Sequence, residues 1–449
     1  MRFYDREQEI KTLHDIRQTS ERAAQFTVVT GRRRIGKTML LLKAYDGQPM
    51  LYFFVSRKAE VELCTDFCAQ IEETLGVPML GSVSKFADVF DYLMRLSHQR
   101  SFTLVIDEFQ DFLRVNKSIF SDMQRIWDLQ KDGSHINLLV CGSIHSLMYK
   151  LFRDRKEPLF GRQTHQLTVR QFRPEVLSTI LHDYHPRYTS EDLLAFYLLT
   201  GGVAKYAELL MDSGCYTWKK MINHVLSTDS PFLDEGKSML IEEFGKDYGT
   251  YFSILSLIAR GHTTRSDMEN ILKMEIGGYL TKLQNDYGII TRHQPLFAKS
   301  STRGVRYELD DIFLRFWFRF IYRYDYMVEL GAFDKLRTLV FRDYPTYSGK
   351  ILEQYFMEVL KDSGRYTRMG NWYDRKGENE IDIIAADDLA QTVDFIEVKR
   401  QRKELDMDLL HQKVDVFLKA TGQYADYKIQ YKGLTMEDMS IPPVRLLSC

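Results

Sequence analysis

A chain of 449 residues with 44% apolar and 13% aromatic side chains is long enough for more than one hydrophobic core, and at about 100–200 residues per domain it predicts about three domains. The same apolar content excludes long disorder. The 27% charged residues balance to a formal net charge of −1, which excludes a histone-like polycation and an acidic-tail protein but leaves room for one basic face.

The five cysteines, Cys64, Cys68, Cys141, Cys215 and Cys449, form no C-x-x-C pair and no zinc spacing, and an odd count fits poorly with a disulfide framework. They read as reduced thiols of a cytoplasmic protein. The start Met1-Arg2-Phe3-Tyr4-Asp5-Arg6-Glu7 is charged and holds no apolar signal core, and nowhere do about 18 apolar residues run together. Neither export by that route nor a membrane span is expected.

From residue 1 to about 183, short apolar strands alternate with amphipathic helices. Phe26 to Val29, Leu51 to Val55, Thr103 to Ile106 and Asn137 to Cys141 are predicted strands, and Glu62 to Leu75, Phe86 to Leu96 and Ile119 to Gln130 predicted helices. That alternation predicts an α/β domain with a largely parallel sheet.

Behind the first strand, Gly31-Arg32-Arg33-Arg34-Ile35-Gly36-Lys37-Thr38 fits the phosphate-binding pattern G-x-x-x-x-G-K-[ST] without a mismatch, and Met39-Leu40-Leu41-Leu42-Lys43 continues it as a helix. Two glycines let the backbone wrap an anion so that N–H groups and the helix N-terminus face phosphate oxygens. Lys37 is expected to reach the β/γ-phosphates of ATP and the Thr38 hydroxyl to ligate Mg²⁺.

Thr103-Leu104-Val105-Ile106-Asp107-Glu108-Phe109 is an apolar strand ending in two acids, the Walker B pattern. Asp107 is expected to hold Mg²⁺ and Glu108 to orient and deprotonate the attacking water. Leu138 to Ser143 forms a further strand ending in a hydroxyl, so Ser143 is either a polar sensor of the γ-phosphate or a helix N-cap. Arg162, in Leu159-Phe160-Gly161-Arg162, is either a cation for the γ-phosphate, in its own or a neighbouring subunit, or a surface arginine in a turn.

Phe3-Tyr4-Asp5-Arg6-Glu7-x-Glu9-Ile10, the G-R-R-R-I-G-K-T loop, I-D-E-F, F-G-R and Gly201-Gly202-Val203-Ala204 together resemble the archaeal-type ATPases, relatives of the STAND and AAA+ groups, over roughly the first half of the chain. The resemblance implies that Arg6 and Glu7 lie near the nucleotide base. One position departs: the family pattern has proline where this chain has Ala204.

Ser190 to Asn223 reads helical around Gly201-Gly202, a helical subdomain at about 185–245 within an ATPase domain of 1–245. Residues 246–312 read as a winged helix-turn-helix: helices Tyr251 to Ala259, Thr264 (N-cap) to Leu272 and Ile276 to Asp286, then strands 289–292 and 305–309 around a polar tip, Lys299 to Gly304. In the 313–348 connection, Phe313, Phe316, Trp317, Phe320, Ile321 and Tyr324 share one helical face and Arg315, Arg319 and Arg323 another. That pattern fits a half-buried joining helix, with nucleic-acid tracking as the other reading.

Residues 349–449 carry Glu380 to Ala385 and Phe395 to Lys399 as strands, with Glu353 on a helix upstream. Period two places Glu397 and Lys399 on one face. Three acids, Glu353, Asp382 and Glu397, with Lys399 are what metal-dependent phosphodiester cleavage uses, the acids holding Mg²⁺ or Mn²⁺ and the lysine balancing charge. The spacing resembles the PD-(D/E)xK restriction-endonuclease-like superfamily, which implies Asp382, Glu397 and Lys399 as site residues, with Gln412 as a further one. The ATPase resemblance agrees, since that family commonly carries a C-terminal domain of unknown function with such a core.

Two functions follow. In one, the ATP cycle controls a winged-helix and a nuclease-like module acting on DNA; in the other, a nucleotide switch has distal modules that only bind a partner. A homo-oligomer is compatible with both.

Overall fold

In the computed structural model, residues 1–78, 81, 83–244, 248–298, 305–374 and 377–440 are described. They fall into two compact units, Asp5–Arg170 and Met1–Tyr4 with Gln171–Cys449. The expected division at residue 245 differs from this: the helices after Gln171 group with the C-terminal elements.

In the first unit, β1 (Gln25–Thr30), β2 (Met50–Phe54), β3 (Phe102–Asp107), β4 (Ile136–Cys141) and β5 (His165–Thr168) form one sheet in the order β2-β3-β4-β1-β5, every pair parallel. β3 and β4 are buried along their whole length, which is why they read as continuous apolar runs rather than alternating ones. The polar β5 is absent from the sequence prediction. As an edge strand with Leu167 its sole aliphatic residue, it gives no periodic signal.

A parallel sheet brings all strand C-termini to one edge, and the loops there make the crevice where ligands bind. The phosphate-loop pattern follows β1 at that edge, Asp107 ends β3 and Cys141 ends β4. Because β4 stands between β1 and β3, the residues after β4 face both the loop and the acids. Helices Glu60–Leu75, Phe86–Leu96 and Ser118–Gln130 cover one side through aromatic packing such as Phe53 stacked on Phe67, ring centroids 4.2 Å apart.

In the second unit, helix Ser190–Thr200 is buried from Asp192 onward on every side. It starts at a reciprocal Thr189/Asp192 capping box and stops at Gly201, whose φ of 53° suits a residue without Cβ. Helices Tyr248–Ala259, Arg265–Leu272 and Gly277–Asn285 follow, the second capped by the Thr264 hydroxyl accepting from the Asp267 N–H. β6 (Ile290–His293) and β7 (Arg306–Leu309) pair antiparallel. The expected tip, Lys299 to Gly304, lies outside the described residues.

The aromatic connection is not one regular helix. It runs as an α turn, Ile312–Phe316, a π turn, Trp317–Ile321, and a 3-10 turn, Tyr322–Tyr324. The Trp317 ring lies so close to Gly236 that any side chain there would collide with it, and five of the six residues expected on the apolar face are buried, all but Tyr324. Helix Phe333–Asp362 then crosses the expected boundary at 348/349 without a break. β8 (Arg368–Tyr373), β9 (Glu380–Asp387), β10 (Thr392–Lys399), helix Met407–Thr421 and β11 (Lys428–Thr435) complete the chain as a sheet ordered β11-β10-β9-β8. β10 and β11 are parallel, the other pairs antiparallel.

Candidate functional site

The loop after β1 has the shape its glycines predict. Gly31 has φ 152° and a Cβ there would lie 2.5 Å from the Val169 carbonyl oxygen; Gly36 has φ 93° at the mouth of helix Lys37–Ala44. Arg34 is left-handed at φ 64°, an uncommon conformation for a side-chain-bearing residue and a mark of a tightly wound loop. Arg32 and Arg33 are half-buried, and Ile35 is buried in the core beneath the loop.

The Lys37 ammonium is buried and donates to the carbonyls of Gly31 and Arg32, both at 2.9 Å. Burial holds its pKa below the ordinary lysine value, with Cys141, Glu108 and Asp107 opposing that shift. Thr38 donates to Asp107 Oδ2 at 2.8 Å. Loop hydroxyl and strand carboxylate thus meet directly, in the oxygen donor set a Mg²⁺ ion takes.

Asp107 is fixed on both oxygens. Oδ2 also accepts from Tyr52 at 2.5 Å, and Oδ1 from Cys141 Sγ at 2.7 Å and the Glu108 N–H at 2.8 Å. Burial, reinforced by Asp107, pushes the Cys141 thiol and the Tyr52 phenol well up, so both remain neutral donors. Glu108 stands in the left-handed region at φ 52°, and its Oε2 accepts from Ser143 at 2.8 Å and from Gln110 Nε2 at 2.5 Å. The helix after β4 begins with Ile144 as its N-cap and has no side-chain cap bond, so Ser143 contacts Glu108 rather than capping.

Arg6 is buried, left-handed at φ 85°, and bonds Glu9 at 3.1 Å and the Arg170 carbonyl at 2.6 Å, which puts it just past the end of β5 on the loop's edge of the sheet. Glu7 is exposed at the start of helix Glu7–Ser20. Arg162 does not join the site. It precedes the start of β5, pairs with Asp128 at 3.1 Å and bonds the Phe160 carbonyl, at the edge where β1 begins. The six residues of β1, at about 3.3 Å each, separate it from the loop, so the expected approach of Arg162 to a γ-phosphate in its own chain is corrected by the strand direction.

In the C-terminal sheet, Lys399 Nζ lies 2.7 Å from Glu397 Oε1 and 3.5 Å from Asp382 Oδ2. Paired register between β9 and β10 stops at Ile383 and Ile396, and beyond it the Asp382 carboxylate accepts the Val398 N–H at 2.8 Å. Glu397 is also held by Lys413 on both oxygens, 3.2 and 3.1 Å, from helix Met407–Thr421. Burial, and Asp382 next, push the Glu353 carboxyl up to about 8; burial and Glu397 push Asp382 up as well. Burial works to lower Lys399, but Asp382 and Glu397 outweigh it and its pKa is raised.

Asp382, Glu397 and Lys399 therefore converge and Glu353 faces Asp382 electrostatically. Yet among the described residues no group of three or more His, Cys, Asp or Glu could hold a metal ion. The expectation of Glu353, Asp382 and Glu397 as one ready ligand set is corrected accordingly: both Glu397 oxygens are taken by ammonium groups. Gln412 is exposed, and its neighbour Lys413 bonds Glu397. Tyr52, Cys141, Gln110 and Lys413 were not anticipated from sequence. Only the strand order, which puts β4 beside β3, could have pointed to Cys141.

The fold and the loop geometry are those of a P-loop nucleotide-binding domain. Residues 3–210 match a family described as an ATPase domain predominantly from Archaea, and residues 317–410 a family of archaeal and bacterial proteins of unknown function. An uncharacterized protein of Methanocaldococcus jannaschii is 27% identical over 439 residues, 96% of this chain and 94% of the relative. A second protein of that organism is 31% identical over 67 residues, 15% of this chain and 65% of the relative. Among solved structures, the Walker-type ATPase of Pyrococcus abyssi superposes with a TM-score of 0.53 at 17% identity, covering 70% of this chain and 96% of that one, a likeness of fold. No described helix is long and apolar enough to cross a membrane.

Proposed function

We propose that the chain binds ATP with Mg²⁺ on the Gly31–Thr38 loop and hydrolyses it. The observation that carries this is the Thr38–Asp107 contact at 2.8 Å with Glu108 adjacent and held by Ser143. The loop N–H groups and Lys37 bind the phosphates, and Lys37 must leave the Gly31 and Arg32 carbonyls to do so. Thr38 and Asp107 hold Mg²⁺, which neutralises phosphate charge and fixes the γ-phosphate. Glu108 orients the attacking water and accepts its proton. Arg6 borders the nucleotide, and Arg162 serves at most a neighbouring copy. The test is ATP turnover and binding in Lys37→Ala and Glu108→Gln.

A second reading is favoured by the Asp382–Lys399–Glu397 convergence: the C-terminal module acts on DNA under control of the nucleotide state, with the helices and hairpin of 248–309 as a winged-helix contact. The order helix, three antiparallel strands, helix, parallel strand supports a nuclease-like core. In the alternative, the same modules bind a partner and cut nothing. Divalent-metal-dependent degradation of DNA, lost in Asp382→Ala, separates the two.

A further inference from the structure

Gln110 lies in the short 3-10 turn Phe109–Asp111 that follows Glu108, and it is 1% exposed. Its Nε2 donates to Glu108 Oε2 at 2.5 Å, the oxygen that also accepts from Ser143. Its Oε1 is buried with no hydrogen-bond partner among the described residues. The amide rests against the Cα of Gly142, so closely that any side chain at 142 would displace it. A buried amide kept in place with half its hydrogen bonding unmet, in a niche opened by a glycine, is costly to maintain, and such costs concentrate at functional sites.

The geometry points to Gln110 as a positioning residue for Glu108 in ATP hydrolysis, an inference that rests on the proposed role of Glu108. Two donors on one oxygen, Ser143 from the end of β4 and Gln110 from the turn after β3, fix the rotation of a carboxylate whose own backbone is left-handed. Oε2 is thereby occupied and Oε1 is left to take the proton of the attacking water. A general base works only when the proton lies within hydrogen-bond reach of the correct lone pair, so a carboxylate free to rotate loses rate without losing affinity. Gln110 touches neither nucleotide nor water in this account.

The experiment compares the full chain with Gln110→Ala, Gln110→Glu and Glu108→Gln in ATP hydrolysis, ATP binding and thermal melting. Gln110→Ala is expected to lower kcat about 10- to 100-fold with KM changed less than about threefold. Gln110→Glu preserves shape but sets a second carboxyl beside Glu108. With the amide donor gone, Glu108 Oε2 keeps Ser143 as its one side-chain donor, so kcat is expected to fall as in Gln110→Ala while KM stays within about threefold. A parallel loss of kcat, ATP affinity and melting temperature would overturn the positioning role. If Gln110→Ala does not fold, the near-isosteric Gln110→Glu decides alone by whether kcat falls while KM and melting temperature hold. Should Glu108→Gln turn over ATP at the wild-type rate, the role of Glu108 itself fails; should Glu108→Gln be inactive while both Gln110 variants match wild type, only the role of Gln110 falls.

Discussion

The hydroxyl of Thr38 and the carboxylate of Asp107 meet at 2.8 Å, although 69 positions separate them in the chain. The contact exists because β1 and β3 run parallel with β4 between them, so the loop after one strand and the last residue of the other open onto the same edge.

The loop depends on glycine at position 31. Gly31→Ala sets a methyl 2.5 Å from the Val169 carbonyl oxygen at a φ of 152°, so it should lower unfolding free energy by about 1–3 kcal/mol. Urea denaturation of the nucleotide-free protein checks this, and an unchanged midpoint would contradict the close approach.

Arg162 is paired with Asp128 at the opposite edge of the sheet. Arg162→Ala should leave ATP affinity within about twofold of wild type, because one exposed pair is worth only about 0–1 kcal/mol and lies off the site. A tenfold weaker affinity in a nucleotide titration would place Arg162 at the phosphates.

Glu353 carries a pH signature. Its folded pKa of about 8 lies above the ordinary carboxyl value, so the folded state holds the proton more tightly than the unfolded chain. The resulting stability is fully present below pH of about 4.5 and is lost as pH rises toward 8. Glu353→Gln, which cannot ionise, should flatten that decline. Denaturation midpoints of both proteins between pH 5 and about 9 test the sign, and parallel curves would remove Glu353 as the cause.

How much of this was legible in the sequence depends on whether a signal is local. The phosphate loop, Asp107 and four of the five strands of the first sheet were, because each is a local run: β-branched strand, glycine loop, apolar strand with terminal acids. β5 was not, since an edge strand of mixed polarity has no period to read. The network on Asp107 was illegible for another reason. Tyr52 and Cys141 reach it from two different strands, and only the strand order brings them there. In the C-terminal sheet, the pairing of Glu397 with Lys399 followed from period two and Asp382 from the resemblance to the restriction-endonuclease-like superfamily, whereas Lys413 comes from a helix whose packing angle no spacing encodes. Helix Phe333–Asp362 runs unbroken across the position expected as a boundary, 348/349, with Pro345 inside it, a continuity that no local signal marks.

Lys413 and Lys399 together neutralise Glu397. If the module acts on DNA, Asp382→Ala should abolish Mg²⁺- or Mn²⁺-dependent degradation, followed on linear duplex by gel. Degradation that survives the change would assign the activity to another site or a contaminant.

Steady-state ATP hydrolysis by the purified full chain, measured beside ATP binding, tests the central claim most directly. Lys37→Ala should abolish binding or turnover, and Glu108→Gln should keep ATP affinity within about threefold while kcat falls by about 100-fold or more. A Lys37→Ala protein that hydrolyses ATP at the wild-type rate would contradict the assignment of the loop.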